Sequence, residues 1–380
     1  MKIAEYGDVF PPELDGVGAV IKNYCEQLAA MGDSAYYIAP GHRKDGRGFT
    51  FHTMLYAGVK IPTEPYRFGV PRLDARYRQN VRNIPFDIVH AHSPFSAGLE
   101  ARRIAKKRGV PLVATFHSKY YDDFLQKTHS KLLARLGVGY VVRFYNKCDE
   151  VWTVNEATAE VLRSYGYKKA IRIMPNGTNI PQVSPEALAR AEERIGADGR
   201  RVLLFVGQLN WKKNIRQILN AFCRIHQKEN ALLVMVGQGP SEGEIRAYCR
   251  ELGLTNSVAF TGHIADRDTL MGIYSLADAL LFPSIYDNAP MVVREAASVG
   301  TPAVLIRGSC AAEGITDDVN GILCENTPES VAEGAFRAIA NSAVLGEAAK
   351  KTIPIPWQTV VSDARARYME LIEAKKHVHT

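Results

Sequence analysis

No stretch of these 380 residues approaches the roughly 20 uninterrupted apolar residues a membrane-spanning helix requires, and the opening MKIAEYGDVF lacks the long apolar run of a signal peptide. A cytoplasmic location is expected, with peripheral contact at the inner face of the membrane as the alternative. The six cysteines are scattered with no CxxC pair, so neither a zinc knuckle nor a disulfide frame is indicated. Low-complexity tracts and repeats of solenoid period are missing too. The basic residues come without a recognisable reading module, so no nucleic-acid partner is expected. His90 and His92 end one strand and point the same way, yet no third metal ligand is evident beside them, and no metal is expected.

What is present is an ordinary globular composition, 46% apolar and 23% charged, in a chain long enough for two domains. Charge is uneven: residues 1–180 carry 26 basic against 17 acidic side chains, and residues 181–380 carry 21 against 23. The basic front half favours anionic partners such as acidic lipid head groups or phosphorylated carriers, unless it is simply surface chemistry.

Short Val- and Ile-rich runs alternate with longer amphipathic stretches, the pattern of a parallel sheet covered by helices on both faces. In the front half the expected strands are Lys2–Tyr6, Ala35–Ala39, Asp87–His90, Leu112–Phe116, Glu150–Val154 and Ile171–Met174. In the back half they are Arg201–Val206, Leu232–Val236, Ser257–Phe260, Ala279–Phe282 and Ala303–Ile306. Pro-Asn-Gly-Thr-Asn-Ile-Pro at 175–181 is turn chemistry and marks the boundary between the two series. The expected division is therefore 1–178, 179–355 and a C-terminal helix over 356–380. That helix carries Trp357, Val360, Val361, Tyr368, Leu371 and Ile372 at mostly helical spacing, so it must dock on another surface, expected to be the N-terminal domain.

Several strand ends carry residues suited to an anionic ligand. Gly16 and Gly18 lie where the first strand turns into a helix, and helix N-termini offer N–H groups to phosphate. His117 ends its strand in Ala-Thr-Phe-His-Ser, repeating the histidine at the end of the preceding strand. Val206-Gly207-Gln208-Leu209-Asn210-Trp211-Lys212-Lys213 places paired lysines at a strand-to-helix corner, read as the first helical turn; a lysine there can meet charge gathering on a leaving diphosphate. Asp287 and Glu295 stand eight positions apart, one in a loop and one on the following helix, so they can meet two parts of one ligand.

Taken together these segments resemble the large retaining family of GT-B glycosyltransferases commonly called family 4. The resemblance runs through nearly the whole chain in order: the glycine loop at 15–18, Val-His-Ala-His at 89–92, Ala-Thr-Phe-His at 114–117, Met-Pro-Asn-Gly at 174–177, Val-Gly-Gln-Leu with Lys213, Val-Gly-Gln-Gly at 236–239 and the acidic pair 287/295. It implies an α/β architecture of two Rossmann-like domains facing a central cleft, an N-terminal acceptor domain and a C-terminal nucleotide-sugar domain. It also implies roles. Glu295 would bind the ribose hydroxyls, Asp287 the transferred sugar and Lys213 the diphosphate. The Gly16 to Gly18 loop would close on that diphosphate, His117 would contact the sugar near the reacting carbon, and the loop with His263 and Ile264 would hold the base.

The expected activity is retaining transfer of a hexosyl group from a nucleotide-diphosphate sugar, a UDP-sugar first, to an acceptor hydroxyl on a sugar, lipid or lipid-linked glycan. The donor is a substrate, and no cofactor is implied. Three positions depart from the family pattern: Asp287 replaces the usual Glu, Gln208 stands where Arg partners the lysine, and Pro290 occupies a position that is usually Gly and lacks an N–H. A nucleotide-sugar epimerase of the same fold and a non-catalytic nucleotide-sugar-binding protein are the alternatives. The basic, aromatic stretch 119–147 suits either a membrane-surface helix or an ordinary domain helix with a solvated face.

Overall fold

The computed structural model describes residues 1–11, 15–61 and 67–377; Pro12, Glu13 and Leu14 of the glycine-loop segment lie outside them. The chain divides into two compact units, 1–176 with 357–380, and 177–356.

In the front unit the chain alternates β1 (Lys2–Tyr6), α1 (Gly16–Ala30), β2 (Ser34–Pro40), β3 (His52–Tyr56), β4 (Gly58–Lys60), β5 (Arg67–Gly69), α2 (Ala75–Asn83), β6 (Ile88–Ala91), α3 (Ser96–Arg108), β7 (Leu112–Phe116), α4 (Tyr120–Thr128), α5 (Lys131–Tyr145), β8 (Glu150–Thr153), α6 (Glu156–Ser164) and β9 (Arg172–Ile173). Seven of these strands form a parallel sheet in the order β3-β2-β1-β6-β7-β8-β9, while β4 and β5 form a separate antiparallel hairpin. Every residue of β6 and β7 is buried, because helices cover both faces of the sheet; that is why these strands read as unbroken apolar runs.

The back unit runs α7 (Pro185–Ile195), β10 (Arg201–Val206), α8 (Ile215–His226), β11 (Ala231–Val236), α9 (Glu242–Glu251), β12 (Val258–Gly262), α10 (Arg267–Leu276), β13 (Ala279–Leu281), α11 (Met291–Ser298), β14 (Ala303–Ile306), β15 (Ile322–Cys324), α12 (Pro328–Ala340) and α13 (Ser342–Thr352). Its sheet is parallel in the order β12-β11-β10-β13-β14-β15. Strands are added outward on one side of β10 and then on the other, so the direction of winding reverses between β10 and β13. Open α/β sheets place ligands at the carboxyl ends of the strands flanking such a reversal. The front sheet reverses in the same way between β1 and β6.

The last helix, α14 (Trp357–His377), belongs to the front unit and packs on α1. It buries Trp357, Val360, Val361, Ala364 and Tyr368. Arg365 Nε donates to Asp33 at 2.6 Å, Arg367 Nε to Glu150 at 2.9 Å and Lys375 Nζ to Asp149 at 2.6 Å. The helix is therefore held by an apolar stripe with ionic contacts along its length.

Strands β3, β4, β5 and β15 go beyond the sequence expectation. In β3, His52 is exposed and Thr53 half-buried, which leaves only three apolar residues to signal a strand at the sheet edge. The other three strands are only three residues long. No disulfide joins any of the six cysteines, five of which are buried. Among the described residues no helix is long and apolar enough to cross a membrane.

Candidate active site

At the carboxyl end of β10 the chain makes a one-turn 3-10 helix, Trp211–Lys213, and then Asn214 turns back at φ 61° before α8 begins. The two lysines thus precede α8 and do not lie in its first turn; the left-handed Asn214 separates them from it. Asn214 Nδ2 donates to the Pro283 carbonyl at 2.9 Å, tying this corner to the loop that follows β13. That bond spans the winding reversal and brings Lys213 to Asp287. Lys213 Nζ donates to Asp287 Oδ1 at 2.5 Å, and the fully buried Ser284 donates to Asp287 Oδ2 at 2.6 Å. Lys212 and Lys213 both lie over the Tyr286 ring, 5.0 and 5.7 Å from its centroid.

Glu295 sits on the second turn of α11 and is buried. Arg267 donates to its Oε1 at 2.7 Å and the Tyr274 hydroxyl to its Oε2 at 3.0 Å. Burial and the Glu295 carboxylate push the Tyr274 hydroxyl well above its ordinary value, so it stays a donor. Next to this pair, after β12, His263 is exposed and Ile264 packs against the core. Gln208 is exposed. The loops after β10 and β11 touch at Gly237, whose φ is 130° and where a Cβ would lie 2.0 Å from the Gly207 carbonyl oxygen; only glycine lets the two loops close up here. The back unit thus carries Lys213, Asp287, Glu295, Gln208, His263 and Ile264 on loops and helix turns that follow the carboxyl ends of β10, β12 and β13.

In the front unit, Asp15 caps α1 and accepts from the Gly18 amide at 2.7 Å. A phosphate at this helix start would therefore meet the Gly16 and Val17 amides, with that of Gly18 already engaged. A Cβ at Gly16 would meet nothing within 4 Å, so packing does not demand a glycine there. His92 and His117 follow β6 and β7, and their rings stack at 5.4 Å with 3.1 Å between His92 Nδ1 and His117 Nε2. Burial, with the His92 and His90 imidazoles, holds His117 well below its ordinary value.

The third group that sequence proximity did not supply beside His90 and His92 is Glu5, 85 and 87 residues away along the chain and on the adjacent strand β1. Glu5, His90 and His92 bring donor atoms within 4.8 Å of one another and are all buried. Each of those atoms already makes a hydrogen bond. Glu5 Oε2 meets His92 Nε2 at 2.8 Å and His90 Nδ1 at 3.1 Å, His90 Nδ1 meets Tyr368 Oη at 2.6 Å, and His90 Nε2 meets Thr115 Oγ1 at 2.8 Å. The cluster is satisfied by shared protons. Burial alone would raise the Glu5 carboxyl, but the two imidazoles bring it down to about 2, so it is ionised.

Residues 14–181 match the Glycosyltransferase Family 4 profile, and residues 189–352 match that of Glycosyl transferases group 1. The chain is a GT-B glycosyltransferase of family 4. The α-monoglucosyldiacylglycerol synthase of Streptococcus pneumoniae is 26% identical over 80% of this chain and 70% of its own length. The GDP-mannose-dependent α-mannosyltransferase of Corynebacterium glutamicum is 23% identical over 100% of this chain and 91% of its own. Among solved structures, Anabaena HepE in complex with UDP and glucose superposes with a TM-score of 0.78 at 18% identity, over 97% of this chain and 99% of that one, a likeness of fold.

By class the enzyme is a hexosyltransferase. Sequence reasoning missed five residues that hold the candidate groups in place within each unit: Glu5 and Tyr368 in the front unit, and Arg267, Tyr274 and Ser284 in the back unit. Only Glu5 carried a readable signal, a carboxylate inside a short strand that is otherwise buried and apolar beyond its first residue. The other four depend on contacts 21 or more residues apart, or on a serine three residues from its partner with no motif to mark it.

Proposed function

We propose that this glycosyltransferase moves a hexosyl group from a UDP-sugar to the hydroxyl of a lipid or lipid-linked acceptor, with retention at the anomeric carbon. The carrying observation is the constellation at the winding reversal of the back sheet. In this reading Lys213 meets the diphosphate, Asp287 the transferred sugar and Glu295 the ribose, with His263 and Ile264 at the base. In the front unit, taken by itself, the helix start at Gly16 and Gly18 is the candidate for phosphate and His117 the candidate for a sugar. In the reaction the bond from the anomeric carbon to the diphosphate breaks, and the acceptor oxygen bonds to that carbon on the same face. The acceptor's proton passes to the departing phosphate oxygen, which leaves a glycoside and UDP. The protein supplies position and charge, and it carries no nucleophile in this scheme.

A lipid acceptor is supported by α5. Its inner face buries Ala134, Val138, Val141 and Tyr145, yet Leu132, Leu133, Leu136 and Tyr140 stand exposed on the other side. Lys131, Arg135 and Arg143 on the same helix are exposed too. Exposed leucines at helical spacing among cations suit the surface of an anionic bilayer. The basic run on α3 contributes less: Arg103 pairs with Glu100 and Arg108 binds the Val81 and Arg82 carbonyls, which leaves Lys106 and Lys107 exposed. A synthase of glucosyldiacylglycerol type among the relatives agrees with this reading, and the GDP-mannose-dependent relative names the competing donor.

The test is release of nucleoside diphosphate from a panel of UDP-, GDP- and ADP-sugars, with and without anionic vesicles containing diacylglycerol or its glucoside. Acceptor-dependent release from a UDP-hexose is expected, with an α-linked product by NMR. Conversion of donor without acceptor would mark an epimerase, and binding without release a non-catalytic protein.

A further inference from the structure

We propose that Glu5 and His92 are positioning residues that fix His117 in its Nε2–H tautomer, with Tyr368 of α14 holding the Glu5 carboxylate in place. The proposal rests on the reading that His117 meets the transferred sugar.

The argument is a count of protons through adjacent strands. Glu5 on β1 is opposite His90 on β6, and His92 and His117 follow β6 and the neighbouring β7. Glu5, His90 and Tyr368 are fully buried, and His92 is 1% exposed. A buried carboxylate persists only where donors surround it. Here His92 Nε2 at 2.8 Å and the Tyr368 hydroxyl at 3.1 Å donate to it, with His90 Nδ1 beside it at 3.1 Å. An ionised carboxylate can only accept, so the hydrogen between it and His92 sits on Nε2. A neutral imidazole has one N–H, which makes His92 Nδ1 an acceptor. The atom 3.1 Å from that acceptor is His117 Nε2, which therefore donates. His117 Nδ1 is then the unprotonated nitrogen, suited to accept from an O–H such as a sugar's.

Tyr368 completes the count. Its oxygen accepts from His90 Nδ1 at 2.6 Å while its hydroxyl donates to Glu5 Oε1, and Thr115 donates to His90 Nε2. Aromatic rings enclose the network: Trp152 stacks on Tyr368 at 5.4 Å, and Tyr24 lies 5.9 Å from each of His90 and His92. In so dry a setting a misplaced proton is costly, so the arrangement holds one tautomer. Burial and the His90 imidazole, against the Glu5 carboxylate, bring His92 down to about 4, which keeps it neutral and able to accept. A contact from the last helix of the chain thereby reaches His117 through two side chains.

The test reads the proton directly. In the full chain with 15N-labelled histidine, long-range proton–nitrogen spectra, with His117 assigned by its loss in His117→Gln, are expected to show Nε2 protonated and Nδ1 bare. Glu5→Gln and His92→Gln are expected to mix or reverse that tautomer. Both should lower kcat roughly ten- to hundredfold, as for loss of one charge-assisted hydrogen bond, with donor KM within about twofold. Tyr368→Phe, which removes a single hydroxyl, is expected to show a smaller change of the same kind and covers the case in which Glu5→Gln does not fold. A wild-type His117 protonated on Nδ1 overturns the proposal, as does a tautomer unmoved in all three variants. Full turnover by His117→Ala alongside the expected spectra instead overturns the reading of His117 at the sugar, and with it any role of this network in catalysis.

Discussion

Replacing Asp287 by Asn separates the two tasks proposed for one ion pair. Lys213 and Asp287 hold each other at 2.5 Å with side chains 18% and 17% exposed. A phosphate that is to take the ammonium must first compete with the carboxylate. Ion pairs at protein surfaces contribute about 0–1 kcal/mol, and a mostly buried pair recovers little more once its desolvation is counted, so about 1 kcal/mol is the reasonable size of the competition. The neutral amide of Asp287→Asn would keep the Ser284 hydrogen bond and release Lys213, so UDP should bind about fivefold more tightly. Lys213→Ala removes a charge-assisted contact to phosphate, worth about 1.5–3 kcal/mol, and should weaken UDP roughly 10- to 100-fold.

Both variants should slow turnover, because one loses the contact to the sugar and the other the charge facing the departing diphosphate. The signature is therefore a split: opposite signs in affinity, the same sign in kcat. Calorimetric titration of UDP at fixed low salt, with turnover of a UDP-hexose measured beside it, reads both quantities. If Asp287→Asn weakens UDP as Lys213→Ala does, the carboxylate orients the lysine and does not compete with phosphate, and the reasoning fails.

Three further outcomes follow from the geometry. Glu295→Gln should keep the Tyr274 hydrogen bond and the fold while raising donor KM about tenfold, the cost of a weaker acceptor for hydroxyls; an unchanged KM in steady-state assays would remove Glu295 from the ribose. Acid should destabilise the front unit in two steps. His92, held at about 4 against an ordinary 6.5, favours folding above pH 6.5, and that gain is lost as pH falls towards 4; Glu5, held at about 2 against 4.5, loses its contribution between pH 4.5 and 2. Thermal unfolding between pH 8 and 4 should show the upper step, at up to about 1.4 kcal/mol per pH unit for each histidine that must charge, and His92→Gln should flatten it. Leu132→Ser with Leu136→Ser should cut binding to anionic vesicles about tenfold or more with little change in folding, because both side chains are exposed in water; co-sedimentation equal to wild type would take α5 off the membrane.

The strands whose bounds match the expected ones lie inside the sheets. β1, β7, β10 and β14 keep their expected bounds, because every residue of them beyond Lys2 of β1 and Arg201 of β10 is buried. The edge strands β3 and β15 are not legible for the opposite reason: one side of each is unpaired among the described residues, and the three buried residues of β3 or the two of β15 do not make a period. Candidate residues could be found one at a time, at strand ends, while their partners could not. Lys213 meets Asp287 across 74 positions and Glu5 meets His92 across 87, distances at which only strand order decides who is adjacent. Spacing along the chain lent the histidine pair the look of an incomplete metal site, and strand order turned it into a closed set of hydrogen bonds once β1 lay beside β6.

The departures from the family pattern bear on the donor because the fold does not need them. Pro290 stands just before the first turn of α11, where an N–H has no intrahelical partner to lose. A proline there costs the helix nothing, so what it changes is a hydrogen bond the backbone could have given a ligand. Gln208 is exposed, and its carbonyl alone serves the loop by accepting from the Asn210 amide at 2.8 Å. An arginine would fit that position as well, so the missing charge is also a matter of ligand. On the proposed reading, these two changes leave neutralisation of the diphosphate to Lys213, to Lys212 if it leaves the face of Tyr286, and to amides at the helix starts. The shorter Asp287 then acquires a second meaning on that reading: an acid that occupies Lys213 until the donor arrives would set the affinity for the donor as well as its place.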